Sequence, residues 1–191
     1  MTLHLPTLML VLIVGFLLML LELAVARSAW IRSPELRIWN WGGWAILGGF
    51  VGLAARLTVP EWISILVGNG LIQIGMAIYA RAIYRFVAQS EPPRWITGFT
   101  VLALIALALM LPWPLNQRTS VLSFLFIVPL VPCAWLIYRH AWHAERSLRS
   151  IAFTFSLCIV ALLVRGVHAW LSPQEYTNLL QASFGQGGTF L

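Results

Sequence analysis

The chain has 191 residues, of which 60% are hydrophobic and only 9% are charged. A soluble domain carries roughly 25% charged residues, so this composition excludes an ordinary water-soluble fold. All twelve basic residues are arginines. All but Arg165 lie in the connections or near the ends of the apolar stretches, and they form no solvated basic face, so we predict a lipid bilayer as partner and no nucleic acid.

Six apolar segments follow one another, and about 20 such residues suffice for a helix to cross a bilayer. Gly48 and Gly52 in the second segment have small-xxx-small spacing, which favours close approach by another helix. Pro129 and Pro132 interrupt the fifth segment, where we expect a kink. The predicted fold is therefore an all-α integral membrane bundle of six transmembrane helices. The spans cover about residues 5–26, 36–57, 62–86, 95–111, 119–138 and 150–171.

The placement of arginine predicts the orientation of this bundle. Nine arginines belong to the first, third and fifth loops, whereas Arg56 and Arg118 lie near the opposite helix ends. Because positively charged loops stay in the cytoplasm, we expect the N-terminus outside. Residues 1–173 then form the bundle, and residues 174–191 form an external loop that turns apolar at its end. That apolar end predicts the start of a seventh span, a seven-helix domain and a longer parent protein.

Arg165 is the strongest candidate for a functional residue. It lies several residues inside the sixth segment, where a charge is costly unless it is paired, hydrated or able to snorkel. His168 follows on the same helix face, and both should point to the outer side. Other candidates near that surface are Arg56, Glu61, Trp62 and Arg118. Together they predict a site for a small anionic or aromatic external ligand; the alternatives are a structural contact of Arg165 with Glu61 or with backbone carbonyls, and snorkelling.

Three further polar residues lie within the apolar segments. Asn69 and Gln73 share one face of the third helix, which favours interhelical hydrogen bonds, with a polar pocket as the alternative. Glu22 is expected to pair with Arg81 or Arg85 near the cytoplasmic end. The sequence has no phosphate-binding glycine loop, catalytic triad pattern or metal-ligand spacing, so we predict no catalytic residue, metal site or cofactor in these 191 residues.

The third segment carries a recognisable pattern, PEWISILVGN at residues 60–69, which continues through Gly75 to Arg85-Phe86. Together with HLPT at residues 4–7 and the Arg165-Gly166 step, it resembles the membrane-embedded sensor region at the N-terminus of bacterial GGDEF diguanylate cyclases. The resemblance extends over nearly the whole chain. In that family a seventh helix leads into the cytoplasmic cyclase domain.

The resemblance implies a signal-input module in the bacterial inner membrane. Its helices would couple an external or bilayer stimulus to cyclic di-GMP synthesis, and the parent protein would act as a homodimer because two cyclase domains must pair. The GGDEF motif is absent from these residues, so any cyclase activity belongs to the longer parent. The alternatives are a small transporter or channel subunit, and the membrane input domain or scaffold of another signalling protein.

Overall fold

The computed structural model describes residues 5–25, 34–140 and 146–171, and in these ranges the chain is helical without β-strands. Each predicted segment coincides with one helix, so the predicted all-α class is confirmed. The tail from residue 172 onwards, with the predicted seventh span, lies outside the described residues. The elements are α1 Leu5–Val25, α2 Pro34–Ala54, a 3₁₀ turn Ala55–Leu57, α3 Glu61–Val87, α4 Arg94–Leu109, α5 Leu115–His140 and α6 Arg146–Leu171.

Three helices are long and apolar enough to cross a membrane, namely α3, α5 and the part of α6 that begins at Leu148. The helices also present large apolar side chains outwards: Leu102, Leu109 and Leu157 are each more than half exposed. Contiguous apolar surface of this kind is unfavourable in water but suits lipid. The chain is therefore a membrane protein. That all six helices cross the bilayer stays a prediction.

Prolines set several of the helix boundaries. Pro60 and Pro93 directly precede α3 and α4 in extended backbone conformations, and Pro114 precedes α5. A proline at this position ends the preceding segment. The following helix loses no hydrogen bond, because the first N–H groups of a helix have no intrahelical partner. Pro129 and Pro132 lie inside α5, which continues through both of them as one helix.

Helices α2 and α3 form a close antiparallel pair. A Cβ atom placed at Gly49 would lie 2.6 Å from the backbone oxygen of Gly68, and one at Gly75 would lie 2.7 Å from the oxygen of Gly42. Such distances are too short for any side chain, so the two backbones approach this closely only because glycine occupies these positions. We call these two helices the α2–α3 pair.

The predicted glycine contact is found at one of its two positions. Gly52 meets the backbone of Gly68, with 3.3 Å between its ideal Cβ position and the Gly68 Cα. Ser64 adds a hydrogen bond from its hydroxyl to the Gly52 carbonyl at 2.6 Å. Gly48, by contrast, meets only the tip of the Leu71 side chain. The face of α2 that contacts α3 is therefore rotated away from Gly48.

Helices α5 and α6 form a second pair, the α5–α6 pair. Most residues of α6 that are buried or half-buried recur at alternating steps of four and three, which is the spacing of two helices packed along a shared seam, and Ile151 and Ser156 lie next to this series. Ser120 donates a hydrogen bond across this seam to the Gly166 carbonyl at 2.8 Å, and the Tyr138 and Ser156 hydroxyls are 3.1 Å apart. The seam consists of Leu148, Ala152, Phe155, Ile159, Leu162, Gly166 and Ala169.

A buried core joins the two pairs. Ala80 and Ile83 of α3 belong to one apolar cluster with Ile137 of α5 and Ala152 of α6. α1 and α4 pack on the outside, mainly against α2 and α3 respectively. The core lies toward the end of the bundle where α1, α3 and α5 finish. We call this end the arginine-rich end; its arginines include Arg37, Arg81, Arg85, Arg94 and Arg139.

Candidate functional site

The opposite end of the bundle carries three charged side chains in contact, which we call the Glu61 cluster. Arg56 lies in the 3₁₀ turn after α2, Glu61 is the first residue of α3, and Arg118 lies in the first turn of α5. The Thr58 hydroxyl closes the 3₁₀ turn by donating to the Ala55 carbonyl at 3.0 Å. This turn brings Arg56 and Glu61 together although they are five residues apart.

Both arginines interact with the same carboxylate oxygen of Glu61. The Nη2 atom of Arg56 donates to Oε1 of Glu61, and Nη2 of Arg118 lies 3.6 Å from that oxygen. Arg118 also donates from Nη1 to the backbone oxygen of Leu111 at 3.4 Å. Because Glu61 belongs to α3 and Arg118 to α5, this carboxylate links the α2–α3 pair to the α5–α6 pair at one end of the bundle.

The cluster has an excess of positive charge in a buried place. The side chains of Arg56 and Arg118 are 8% and 7% exposed, whereas that of Glu61 is 38% exposed. The helix dipole favours Glu61 at the N-terminus of α3 but disfavours the cation of Arg118 at the N-terminus of α5. One carboxylate thus neutralises only one of two buried guanidinium groups. A carboxylate or phosphate could supply the missing negative charge.

Unsatisfied polar atoms accompany this charge. Nε of Arg56 and Oδ1 of Asn116 are both buried and have no hydrogen-bond partner in the described part of the chain. Asn116 lies in the same first turn of α5 as Arg118. Buried polar groups are normally paired, so these two atoms mark the cluster as a place where a water molecule or a small polar ligand would be stabilised.

The structure does not bring Arg165 and His168 into the Glu61 cluster. Both side chains are exposed on α6, beside the seam, and neither forms an ion pair or hydrogen bond within the ranges that the structure describes. The alternative contact between Arg165 and Glu61 is not formed either, because Glu61 already binds Arg56 and Arg118. Binding of a ligand by Arg165 or His168 stays a prediction.

Trp62 also lies at the edge of the predicted site. Its side chain is 57% exposed at the start of α3, directly after Glu61. Trp113 and Trp170, at the same end of the bundle, are exposed as well. Exposed tryptophans at helix ends are typical of a membrane–water interface, so Trp62 is placed as an interfacial side chain next to the cluster.

The predicted interhelical hydrogen bonds of Asn69 and Gln73 are not formed. Asn69 donates instead to the carbonyl of Ile65 in its own helix at 2.9 Å. Gln73 is only 3% exposed, and neither its Oε1 nor its Nε2 has a partner among the described residues. An amide that is buried without partners is unfavourable, so Gln73 is a locally destabilising feature of α3.

Glu22 does not pair with either predicted arginine. Arg85 binds Glu91 at 3.2 Å, and Arg81 donates to the Thr97 hydroxyl at 2.7 Å. These partners lie in or just after the α3–α4 connection, so they are closer along the chain than Glu22 of α1. Glu22 instead lines a cavity at the arginine-rich end.

That cavity was not predicted from the sequence. It has a volume of about 670 Å³ and lies between α1, the α2–α3 pair and the α5–α6 pair. Glu35 and Trp39, both near the start of α2, line it together with Glu22. Acidic residues are common at helix ends, so Glu22 and Glu35 did not indicate a cavity in the sequence. The cavity depends on how five helices pack together.

Fold, exposed apolar faces and buried charges together define a helical membrane protein with a charged cluster at one end and a cavity at the other. Comparison of the chain with protein-family models, with curated proteins and with solved structures gives no match. Within the described ranges, no three side chains of His, Cys, Asp or Glu are grouped in a way that could hold a metal ion.

Proposed function

We propose that this chain is the membrane-embedded signal-input module of a diguanylate cyclase in the bacterial inner membrane. In this proposal all six helices cross the bilayer, the N-terminus is outside, and a cytoplasmic GGDEF domain of a longer, homodimeric parent makes cyclic di-GMP. The Glu61 cluster then faces the outside, and the arginine-rich end faces the cytoplasm, as the distribution of positive charge favours.

The observation that carries the proposal is what the PEWISILVGN pattern does in the fold. Glu61 binds the arginines of two helix pairs, Ser64 bonds to Gly52, and Gly68 receives the backbone of α2. The residues that resemble the sensor family are therefore those that join the helices. A module that responds to a stimulus by changing its helix packing would be expected to carry such a pattern where its helices contact each other.

The arrangement of the two helix pairs supports such a change. A signal-input module needs two packings of similar free energy and a stimulus that prefers one of them. Each pair is tightly packed internally, and an ionic contact between Glu61 and Arg118 connects them at the outer end. At the other end a buried core joins them, beside a cavity that both pairs line. Rigid-body movement of one pair against the other is a common form of such a transition.

The external stimulus in this proposal is a small anion. A carboxylate or phosphate group that binds Arg56 and Arg118 would compete with Glu61 for the same guanidinium groups. Release of Glu61 from Arg118 would remove the ionic contact between the helix pairs. The anion would thereby favour the packing in which the pairs are farther apart at the outer end, and the helix leading to the cyclase would transmit this difference.

The first test is to read the coding sequence beyond Leu191 and to express its full-length product in a bacterial strain without other diguanylate cyclases. We expect a further apolar span, a GGDEF domain in frame and cyclic di-GMP output that changes when residues 1–171 are replaced by an unrelated membrane anchor. A stop codon directly after Leu191, or output that is indifferent to this replacement, would contradict the proposed function.

A further inference from the structure

The cavity at the arginine-rich end has the size of a ligand site. Its volume of about 670 Å³ lies within the range of about 300–1,000 Å³ that is typical of sites for small organic molecules. Side chains from α1, α2, α3, α5 and α6 line it, so both helix pairs contribute to its walls. Its occupant would contact α1 and both helix pairs, whose relative positions define the packing at this end of the bundle.

The walls of this cavity are apolar with two exceptions. Ile83, Val87 and Ile151 are among the apolar lining residues, whereas Glu22 and Glu35 are the two charged ones. An apolar wall selects the body of a hydrophobic molecule, and the two carboxylates select its charge. Among the lining residues that the structure describes there is no arginine or lysine.

Neither carboxylate forms an ion pair with a residue that the structure describes. Glu35 also lines an adjoining opening together with Arg85. Arg85 binds Glu91 instead, at 3.2 Å. Acidic groups beside apolar surface in a membrane protein are normally paired, and an organic cation in the cavity would supply a partner for these two carboxylates.

Aromatic side chains add to this preference. Trp39 lines the cavity and stacks on Tyr79, with 4.1 Å between ring centroids and 11° between ring planes. Phe86 lines the cavity as well. Aromatic rings attract cations through their ring faces, and Phe86 is partly exposed. Trp39 also stacks on Phe155, with 6.2 Å between ring centroids, so its ring is held in place and this part of the wall is preformed.

We propose that this cavity binds an amphipathic organic cation, with its apolar body between the two helix pairs and its positive charge at Glu22 and Glu35. The site is independent of the Glu61 cluster, because it lies at the opposite end of the bundle and selects the opposite charge. A molecule bound there would wedge the helix pairs at the arginine-rich end. It would therefore act on the packing of the two helix pairs from the end of the bundle opposite the Glu61 cluster.

The test uses the full chain in nanodiscs of zwitterionic phosphatidylcholine and radiolabelled tetraphenylphosphonium, a permanently charged apolar cation. Empty nanodiscs correct for partition into lipid. We expect saturable binding of about one cation per chain. Tetraphenylborate, which has the same shape and the opposite charge, is measured in separate samples and should bind at least tenfold more weakly. Absence of saturable binding, or equal affinity for the two ions, would overturn the proposal.

Two variants identify the site. The Glu22→Gln, Glu35→Gln double variant should bind tetraphenylphosphonium at least tenfold more weakly, whereas Glu91→Gln removes a nearby charge outside the cavity and should change affinity by less than twofold. Equal affinity of the double variant and the wild type would overturn the assignment to this cavity. If the double variant does not fold, as judged by size-exclusion chromatography, the relative affinities of the wild type for tetraphenylphosphonium and tetraphenylborate still test the proposal. Neither measurement depends on cyclic di-GMP.

Discussion

Glu61 is the residue that holds the Glu61 cluster together. It is the only carboxylate in contact with Arg56 and Arg118 in the described part of the chain, and those two guanidinium groups are nearly completely buried. The sequence predicted that these residues lie near one surface. It could not predict that both arginines share one oxygen, because Arg118 is far away along the chain and reaches Glu61 only through the packing of α5 on α3.

Replacing Glu61 should therefore destabilise the bundle. We expect Glu61→Gln to lower the free energy of unfolding by about 1–3 kcal/mol, because two buried cations would then face each other without a counterion. The matched control is Glu91→Gln, which breaks the exposed pair with Arg85 and should change stability by less than about 0.5 kcal/mol. Thermal unfolding in detergent measures both. Equal melting temperatures for the two variants would contradict the role of Glu61.

Gln73 should be replaceable by an apolar residue of similar size. We expect Gln73→Leu to stabilise the protein by about 1 kcal/mol, because it removes a buried amide that has no hydrogen-bond partner. Gln117→Leu, at an exposed position on α5, is the control and should have little effect. Thermal unfolding in the same detergent gives the comparison. A clear loss of stability in Gln73→Leu would show that Gln73 has a partner, such as a bound water molecule or ligand.

At the scale of elements, the contact between α2 and α3 depends on two facing glycine pairs, Gly42 with Gly75 and Gly49 with Gly68. The sequence indicated a small-residue face on α2 with Gly48 and Gly52, of which only Gly52 contacts the backbone of α3. Steps of four and seven residues both return to the same helix face, so spacing alone did not decide which glycines form the contact. The position of α3 determines which glycines of α2 form the contact.

A matched pair of alanine variants tests this contact. In Gly49→Ala the new methyl group would collide with backbone atoms of α3, so we expect a loss of about 1–3 kcal/mol in stability relative to Gly48→Ala. Both variants gain the same helix propensity, and the methyl group at residue 48 meets only a flexible leucine. Thermal unfolding measures the difference. Equal stabilities would contradict the close approach at Gly49.

The orientation of α6 about its own axis could not be predicted from the sequence. Its seam toward α5 follows a regular spacing, but the helix is apolar almost all round, so no polar face distinguishes the core side from the lipid side. Arg165 lies exposed beside the seam, and its predicted role in ligand binding stays a prediction. In a soluble helix a polar face would have indicated the orientation, whereas in a membrane helix both faces have the same composition.

For the whole molecule, the six helices and the membrane environment could be predicted because composition and segment length determine them. The assembly into two helix pairs could not, because apolar helices pack by fine details of shape that only the fold reveals. The cavity with Glu22 and Glu35 was missed for the same reason. The resulting picture is of two helix pairs joined by a buried core, with an ionic contact at one end and a cavity at the other.

The most direct test of the proposed function is the cyclic di-GMP output of the full-length product with single charges removed. Wild type, Glu61→Gln and Glu91→Gln would be compared at equal amounts of protein in the membrane. We expect Glu61→Gln to change output at least threefold, because it removes the ionic contact between the helix pairs, and we expect Glu91→Gln to match the wild type. Equal output from all three proteins would contradict the signal-input role of this joint.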